Sequence, residues 1–244
     1  MSVHLKYRSV ILLLLLAGCF LLPLISCSSR KKLDKALANP ETTTKLRMNR
    51  CKLNKLPPEI GKLKNLRTLK LYRCRLDSLP AEIGELENLV TLSLGGNRLT
   101  KIPAEIGNLF KMKYLTLSYN ELAHLPKEIG DLPNLEVLSL DGNKLTELPA
   151  EIGKNTHLIY LSLANNYLKE LPSSFGNLTE LRTLIIGRNQ LNRLPAEIGN
   201  LIHLVELNIA RSGAMLQFPN TICNIRSIET VSYTHLTLPT TPYV

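Results

Sequence analysis

The side chains in this sequence with the most chemistry to offer are its five cysteines and five histidines, as nucleophiles, redox centres or metal ligands. Their spacing supports little of that chemistry. His124, His157 and His203 are dispersed, with no carboxylate or cysteine at ligand spacing, which argues against a metal centre. No glycine loop that could cradle a phosphate, no nucleophile elbow and no pair of carboxylates in a plausible pocket is present, so the expectation is no catalytic residue, no cofactor and no enzyme. Cys223 has no evident partner. Cys51 and Cys74 stand 23 residues apart, and Cys19 and Cys27 each follow a small residue in an aliphatic run.

The elements that must position these residues come from a period of 23. From Leu66 the register L-x-x-L-x-L-x-x-(N/C)-x-L-x-x-L-P-x-x-I-G-x-L-x-x returns at Leu89, Met112, Leu135, Leu158 and Leu181. It extends back to Thr43 and forward to Leu204, where one inserted residue near Ser212-Gly213-Ala214 loosens it, giving eight repeats over 43–227. Within one repeat Leu92 and Leu94 alternate inward on a short strand, while Thr91, Ser93 and Gly95 point outward. Asn97 follows the strand and recurs as Asn120, Asn143, Asn166 and Asn189, a structural ladder of amides able to satisfy turn backbone that would otherwise be buried unpaired. Ile102-Pro103-Ala104-Glu105-Ile106-Gly107 reads as a one-turn helix or 3₁₀ segment, with Pro at its start, Glu in its first turn and Gly just past its end.

This register resembles the leucine-rich repeat family, in the LPxEIGxL subtype found in bacterial exported repeats and in Shoc2-like proteins. The resemblance covers about three quarters of the chain. It implies an α/β leucine-rich repeat solenoid, a right-handed superhelix with a concave parallel sheet and short helical or 3₁₀ turns on the convex side. Strands about 4.8 Å apart make eight repeats a curved rod roughly 35–40 Å long. Residues 33–40 read as a short amphipathic helix stopped by Pro40, similar to the helical lead-in of bacterial relatives; linker and cap together occupy 28–42. Cys51 and Cys74 fall on the Asn position of the first two repeats, where the family accepts cysteine as a small buried polar group. Stacked one coil apart, their Cα atoms can also approach disulfide range, so an exported chain could link them.

Export itself is read from residues 1–27. Lys6 and Arg8 precede an uncharged run over 9–26, and Ser28-Ser29-Arg30-Lys31-Lys32 is abruptly polar. Leu16-Ala17-Gly18-Cys19 and Leu24-Ile25-Ser26-Cys27 both resemble the lipobox of bacterial lipoproteins. Cys27 is the favoured lipidation site, because processing at Cys19 would leave 20–25 apolar on the mature chain. An uncleaved anchor, or plain cleavage with both cysteines incidental, is the alternative. The expected location is the cell envelope, as a membrane-anchored lipoprotein, periplasmic or surface-exposed. At the other end the period stops after Glu229, and 231–244 is expected to be non-native: VSYTHLTLPT resembles the translation of a transposase adapter used in DNA library preparation.

Composition and charge narrow the function. The chain has 244 residues, 44% hydrophobic and 5% aromatic, with no Trp, which excludes disordered and collagen-like classes and implies an aliphatic core. Net charge is +10, and the excess is at one end: 28–75 holds 15 Lys and Arg against 3 acids. The concave candidates for ligand binding are Lys45, Arg47, Arg50, Arg67, Lys70 and Arg73, then Tyr114, Tyr119 and Tyr160, then Arg188. One interpretation of the basic end is a solvated rim. The other, favoured here, is a non-enzymatic module binding a protein or anionic glycan through the concave face, tethered to the membrane by its lipid, with no nucleic acid involved. The alternatives are an envelope-structural role against anionic lipid or wall polymer, or an effector whose catalytic domain lies beyond this sequence, as in bacterial leucine-rich repeat ubiquitin ligases.

Overall fold

A strand that buries one face of two or three leucines cannot hold that face by itself, and in this chain the next copy of the strand covers it. The computed structural model describes residues 27–213 and 216–232. A helix, α1 (Cys27–Ala38), leads into nine parallel strands in sequential order. They are β1 (Lys45–Asn49), β2 (Thr68–Tyr72), β3 (Thr91–Ser93), β4 (Tyr114–Thr116), β5 (Val137–Ser139), β6 (Tyr160–Ser162), β7 (Thr183–Ile185), β8 (Glu206–Asn208) and β9 (Thr230–Ser232). Each of the first eight is followed by a five-residue 3₁₀ turn on the opposite side, and a strand with its turn is here called a coil, numbered 1 to 8. Pairing keeps the 23-residue offset from β1 through β8 and lengthens to 24 between β8 and β9, where Glu206 faces Thr230. The ninth strand enters the segment 231–244 expected to be non-native; 233–244 lies outside the described residues, as do 1–26 with Cys19.

The core is one column of aliphatic side chains. Leu89, Leu92, Leu94, Leu99, Ile106 and Leu109 are fully buried and Ile102 nearly so, and the same set recurs in neighbouring coils. The amide ladder fills the bend after each strand. Asn97 accepts from the backbone N–H of Cys74 (2.8 Å) and Leu76 (3.1 Å) and donates to the carbonyls of Leu71 and Leu94. Asn120, Asn143, Asn166 and Asn189 repeat the arrangement, each bridging to the coil before it. In coils 1 and 2 the ladder position is taken by a disulfide between Cys51 and Cys74, whose Cα atoms are 4.2 Å apart. Cys223 is free and exposed.

Two sequence expectations change in detail. The leading helix begins at Cys27, six residues before the start of the 33–40 pattern, and ends at Ala38, where Asn39 donates back to the carbonyl of Lys35. Leu33 and Ala36 are buried against coil 1, and Arg30 pairs with Asp34 along the outer face. The repeated glycine of the I-G pair does not lie past the end of its turn. Gly107 sits inside the turn Ala104–Asn108, and a Cβ there would stand 2.9 Å from the carbonyl oxygen of Glu128 in the next coil. Close stacking of the convex turns, rather than helix termination, is what calls for glycine.

One core position breaks the pattern. Leu109, Leu132, Leu178 and Leu201 are the buried residues after the turns, but coil 5 has Asn155. Its amide nitrogen donates to the carbonyls of Ile129 (3.1 Å) and Leu132 (3.0 Å), while its Oδ1 is buried without a partner. The preceding turn pays for this: most other turns close with an N–H to carbonyl bond such as Leu109 to Ile106 (3.2 Å), which Leu132 does not make. Asn155→Leu should therefore raise stability by about 1 kcal/mol, as an apolar residue removes the orphaned oxygen and lets the turn close. A thermal midpoint equal to or below that of the parent chain contradicts this.

A candidate ligand-binding face

The register places three rows of side chains across the concave sheet. The first runs Lys45, Thr68, Thr91, Tyr114, Val137, Tyr160, Thr183, Glu206. The second runs Arg47, Lys70, Ser93, Thr116, Ser139, Ser162, Ile185, Asn208, two cations followed by four hydroxyls. The third starts with Asn49 and Tyr72 and continues beyond the shorter strands as Gly95, Ser118, Asp141, Ala164 and Gly187. Lys45, Arg47, Lys70, Tyr114 and Tyr160 thus lie on the inner face. Arg67 lies at its entry, where its N–H donates to the Thr44 carbonyl before β2 begins.

The remaining candidates are elsewhere. Arg50, Arg73, Tyr119 and Arg188 are not strand residues but occupy the bend after the strand, one residue before the ladder, together with Gly96, Gly142, Asn165 and Arg211. All eight have positive φ, between 51° and 69°. They form a ridge along one edge of the sheet rather than part of its face. Left-handed backbone costs an L-residue about 1–2 kcal/mol relative to glycine, and the hydrogen bond from the Arg50 N–H to the Tyr72 carbonyl is among those that hold it. Side chains lean along the ridge: Arg73 lies against Gly96 and within 5.1 Å of the Tyr72 ring centre, and the Tyr119 ring lies against Gly142.

Charge separates the basic end from the rest. Across coils 3 to 7 cations meet acids: Lys113 with Glu136 (2.5 Å), Lys144 with Glu121 (2.8 Å), Lys154 with Asp131 (3.3 Å), Arg193 with Glu170 (3.8 Å); in coils 1 and 2 the one such pair among the described residues is Lys64 with Glu85 (2.9 Å), after the turns and away from the sheet. The hydrogen bond from Lys113 holds the Glu136 carboxyl below the ordinary carboxylate range and raises the Lys113 ammonium, and Lys144 and Glu121 do the same for each other. Among the described residues no carboxylate lies within 4.0 Å of Lys45, Arg47, Arg50, Arg67, Lys70 or Arg73.

Sequence reasoning missed Asp141. It is the acid of the third row, half-buried, and accepts from the hydroxyls of Ser118 (3.2 Å) and Ser162 and from the N–H of Ala164 (3.1 Å). Its signal in the sequence is a single acid in a row otherwise small or aromatic, which becomes visible only once the rows are aligned. Among the described residues no group of three His, Cys, Asp or Glu side chains could hold a metal ion, and no helix is long and apolar enough to cross a membrane.

A single-layer parallel sheet closed by stacked 3₁₀ turns, with an amide ladder in its bends, defines a solenoid of leucine-rich coils. The chain belongs to the leucine-rich repeat family: the model of the leucine-rich repeat region matches residues 21–112, 102–159 and 150–242. Among solved structures it is similar to a leucine-rich repeat protein of Leptospira interrogans, with 31% identity and a TM-score of 0.73 over 86% of this chain and 66% of that one. It is also similar to the plant peptide hormone receptor RGFR1 in complex with RGF2 (35% identity, TM-score 0.66, 79% of this chain and 32% of that one). A third is the ectodomain of the Arabidopsis thaliana receptor kinase GASSHO1/SCHENGEN3 in complex with CASPARIAN STRIP INTEGRITY FACTOR 2 (26% identity, TM-score 0.61, 81% and 27%). The chain thus spans just under two thirds of the Leptospira protein and about a third of the plant receptors. No curated protein matches it.

Proposed function

We propose that this chain is a non-enzymatic binding module displayed at a bacterial cell envelope, held there by lipid on Cys27, and that its concave face takes an acidic protein or glycan partner. The observation that carries this reading is the cluster of Lys45, Arg47 and Lys70 on the inner rows with no carboxylate beside it, in a chain that pairs cations with acids on the coils beyond. A rigid sheet presents those charges without an ordering cost for the backbone on binding, which favours affinity. The similarity to receptor ectodomains solved with their peptide partners supports the choice of a protein ligand, and the Leptospira similarity supports a bacterial setting. The second reading, an envelope-structural role against anionic lipid, is favoured by Lys31, Lys32 and Lys35 on α1 beside the basic coils.

The test is retention on immobilised polyglutamate. Reversing Lys45, Arg47 and Lys70 to Glu should weaken capture by at least about tenfold, equivalent to about 1.4 kcal/mol. Wild-type capture should fall as salt shortens the screening length to roughly 3 Å at 1 M. Folding should change by less than about 0.5 kcal/mol, since these side chains are outside the core. Equal, salt-insensitive retention of both proteins rejects the concave reading. Fatty-acid labelling that survives Cys27→Ala rejects lipidation at that residue.

A further inference from the structure

We infer a second binding site, on the ridge rather than the face, for a linear anionic glycan gripped by two arginine pairs, Arg50 with Arg73 and Arg188 with Arg211, and stacked at its middle on Tyr119. The site extends the binding reading to another surface and does not depend on Lys45, Arg47 or Lys70.

The ridge is a row with one side chain per coil. Glycine or asparagine satisfies its left-handed backbone without strain, and Gly96, Gly142 and Asn165 do so. The other five positions carry four arginines and a tyrosine in that same backbone, all exposed, with φ of 51°, 54°, 58°, 55° and 59° at Arg50, Arg73, Tyr119, Arg188 and Arg211. Strain retained where relief is one substitution away marks residues kept for what their side chains do. No carboxylate lies within 4.0 Å of any of the four arginines among the described residues.

The spacing selects a chain-like ligand. Arg73 and Arg188 are five coils apart, about 24 Å at 4.8 Å per strand. Tyr119 stands between them, 64% exposed, with its ring laid against Gly142 and so held for stacking. Beside it, Asp141 uses three acceptor positions on Ser118, Ser162 and Ala164, and an ionised carboxylate has about four. A ligand crossing the middle must bring a donor to that carboxylate and a flat apolar surface to the ring. A sugar bearing hydroxyls and a C–H face does both, and its acidic groups reach the arginines at either end. A polycarboxylate peptide could reach the arginines but has no such sugar face to lay on the Tyr119 ring.

Titrating the full chain with oligogalacturonates of graded length, at low salt, tests this. Affinity should rise by about tenfold once the oligomer spans about 24 Å, because the inner arginine of each pair is then engaged. Arg73→Asn, Arg188→Asn and Tyr119→Asn each keep a residue at ease in the left-handed region, and each should weaken binding of the long oligomer by about tenfold. They should leave polyglutamate capture by the concave face unchanged. In the parent chain, hydroxyl-radical footprinting should show Tyr119 protected by the long oligomer, a reading that needs no variant to fold. Affinity independent of length, binding unaffected by Tyr119→Asn, polyglutamate bound as tightly at the ridge as the glycan, or glycan binding lost only when Lys45, Arg47 and Lys70 are reversed would each overturn the site. That last outcome would leave the concave reading standing.

Discussion

Leu138→Ala should cost about 2–5 kcal/mol, a large share of the stability of the rod, since a domain of this kind holds only about 5–15 kcal/mol in reserve. Leu138 is fully buried in β5, paired in register with Leu115 on one side and Leu161 on the other. Truncation leaves a cavity facing both neighbours, and stacked coils held at strand spacing cannot collapse into it from one side alone. Ser139→Ala, the next residue of the same strand and on the concave face, should change stability by less than about 0.5 kcal/mol. Urea unfolding followed by circular dichroism compares the two, and near-equal midpoints would mean the column of leucines is not the source of stability.

Asn143→Ala should also be damaging, by about 2 kcal/mol, although it removes a polar side chain rather than an apolar one. The Asn143 Oδ1 accepts from the Leu122 N–H (3.1 Å), and its Nδ2 donates to the carbonyls of Leu117 (3.1 Å) and Leu140 (2.9 Å). Alanine orphans the Leu122 N–H, a loss worth about 1–3 kcal/mol for a buried donor, and takes one of two donors from each carbonyl, which keep Asn120 (2.8 Å to Leu117) and Asn166 (3.0 Å to Leu140). Asn165→Ala, on the exposed ridge nearby, serves as the comparison: it loses only a contact from Arg188 at 3.4 Å and the left-handed preference of asparagine. Equal midpoints for the two variants would show that water reaches the ladder and satisfies it.

The solenoid could be read from the chain because its causes are local and repeated. Leu92, Leu94, Ile106 and Asn97 recur at fixed offsets, and each recurrence points to the same burial. What escaped depends on relations between coils. The glycine of Gly107 looks like a turn terminator within its own coil, and only the carbonyl of Glu128 above it shows its purpose. Arg50, Arg73, Tyr119 and Arg188 follow strands short enough that counting outward positions carries them onto the face, whereas a change in the sign of φ turns them onto the edge. Asp141 has no motif around it. Its partners Ser118 and Ser162 come from the coils on either side, so its environment exists only after stacking. Asn155 is a single departure from leucine, unremarkable until its oxygen is found without a donor.

The disulfide has a consequence for the direction in which the rod comes apart. An array whose coils touch only their neighbours can open stepwise from a side, each step costing one coil and one interface. Cys51 and Cys74 join coils 1 and 2 covalently, and these coils also carry the crowded cations that repel one another most. The bond makes the two coils a single step, so fraying from that side must release both together. At coil 8 the ladder residue is Ser212, which reaches the previous coil with one side-chain bond to the Ile186 carbonyl (2.7 Å). The ladder therefore has two kinds of joint, a covalent one where positive charge is densest and a light one at coil 8, and at the first the disulfide acts as a brake on mutual repulsion.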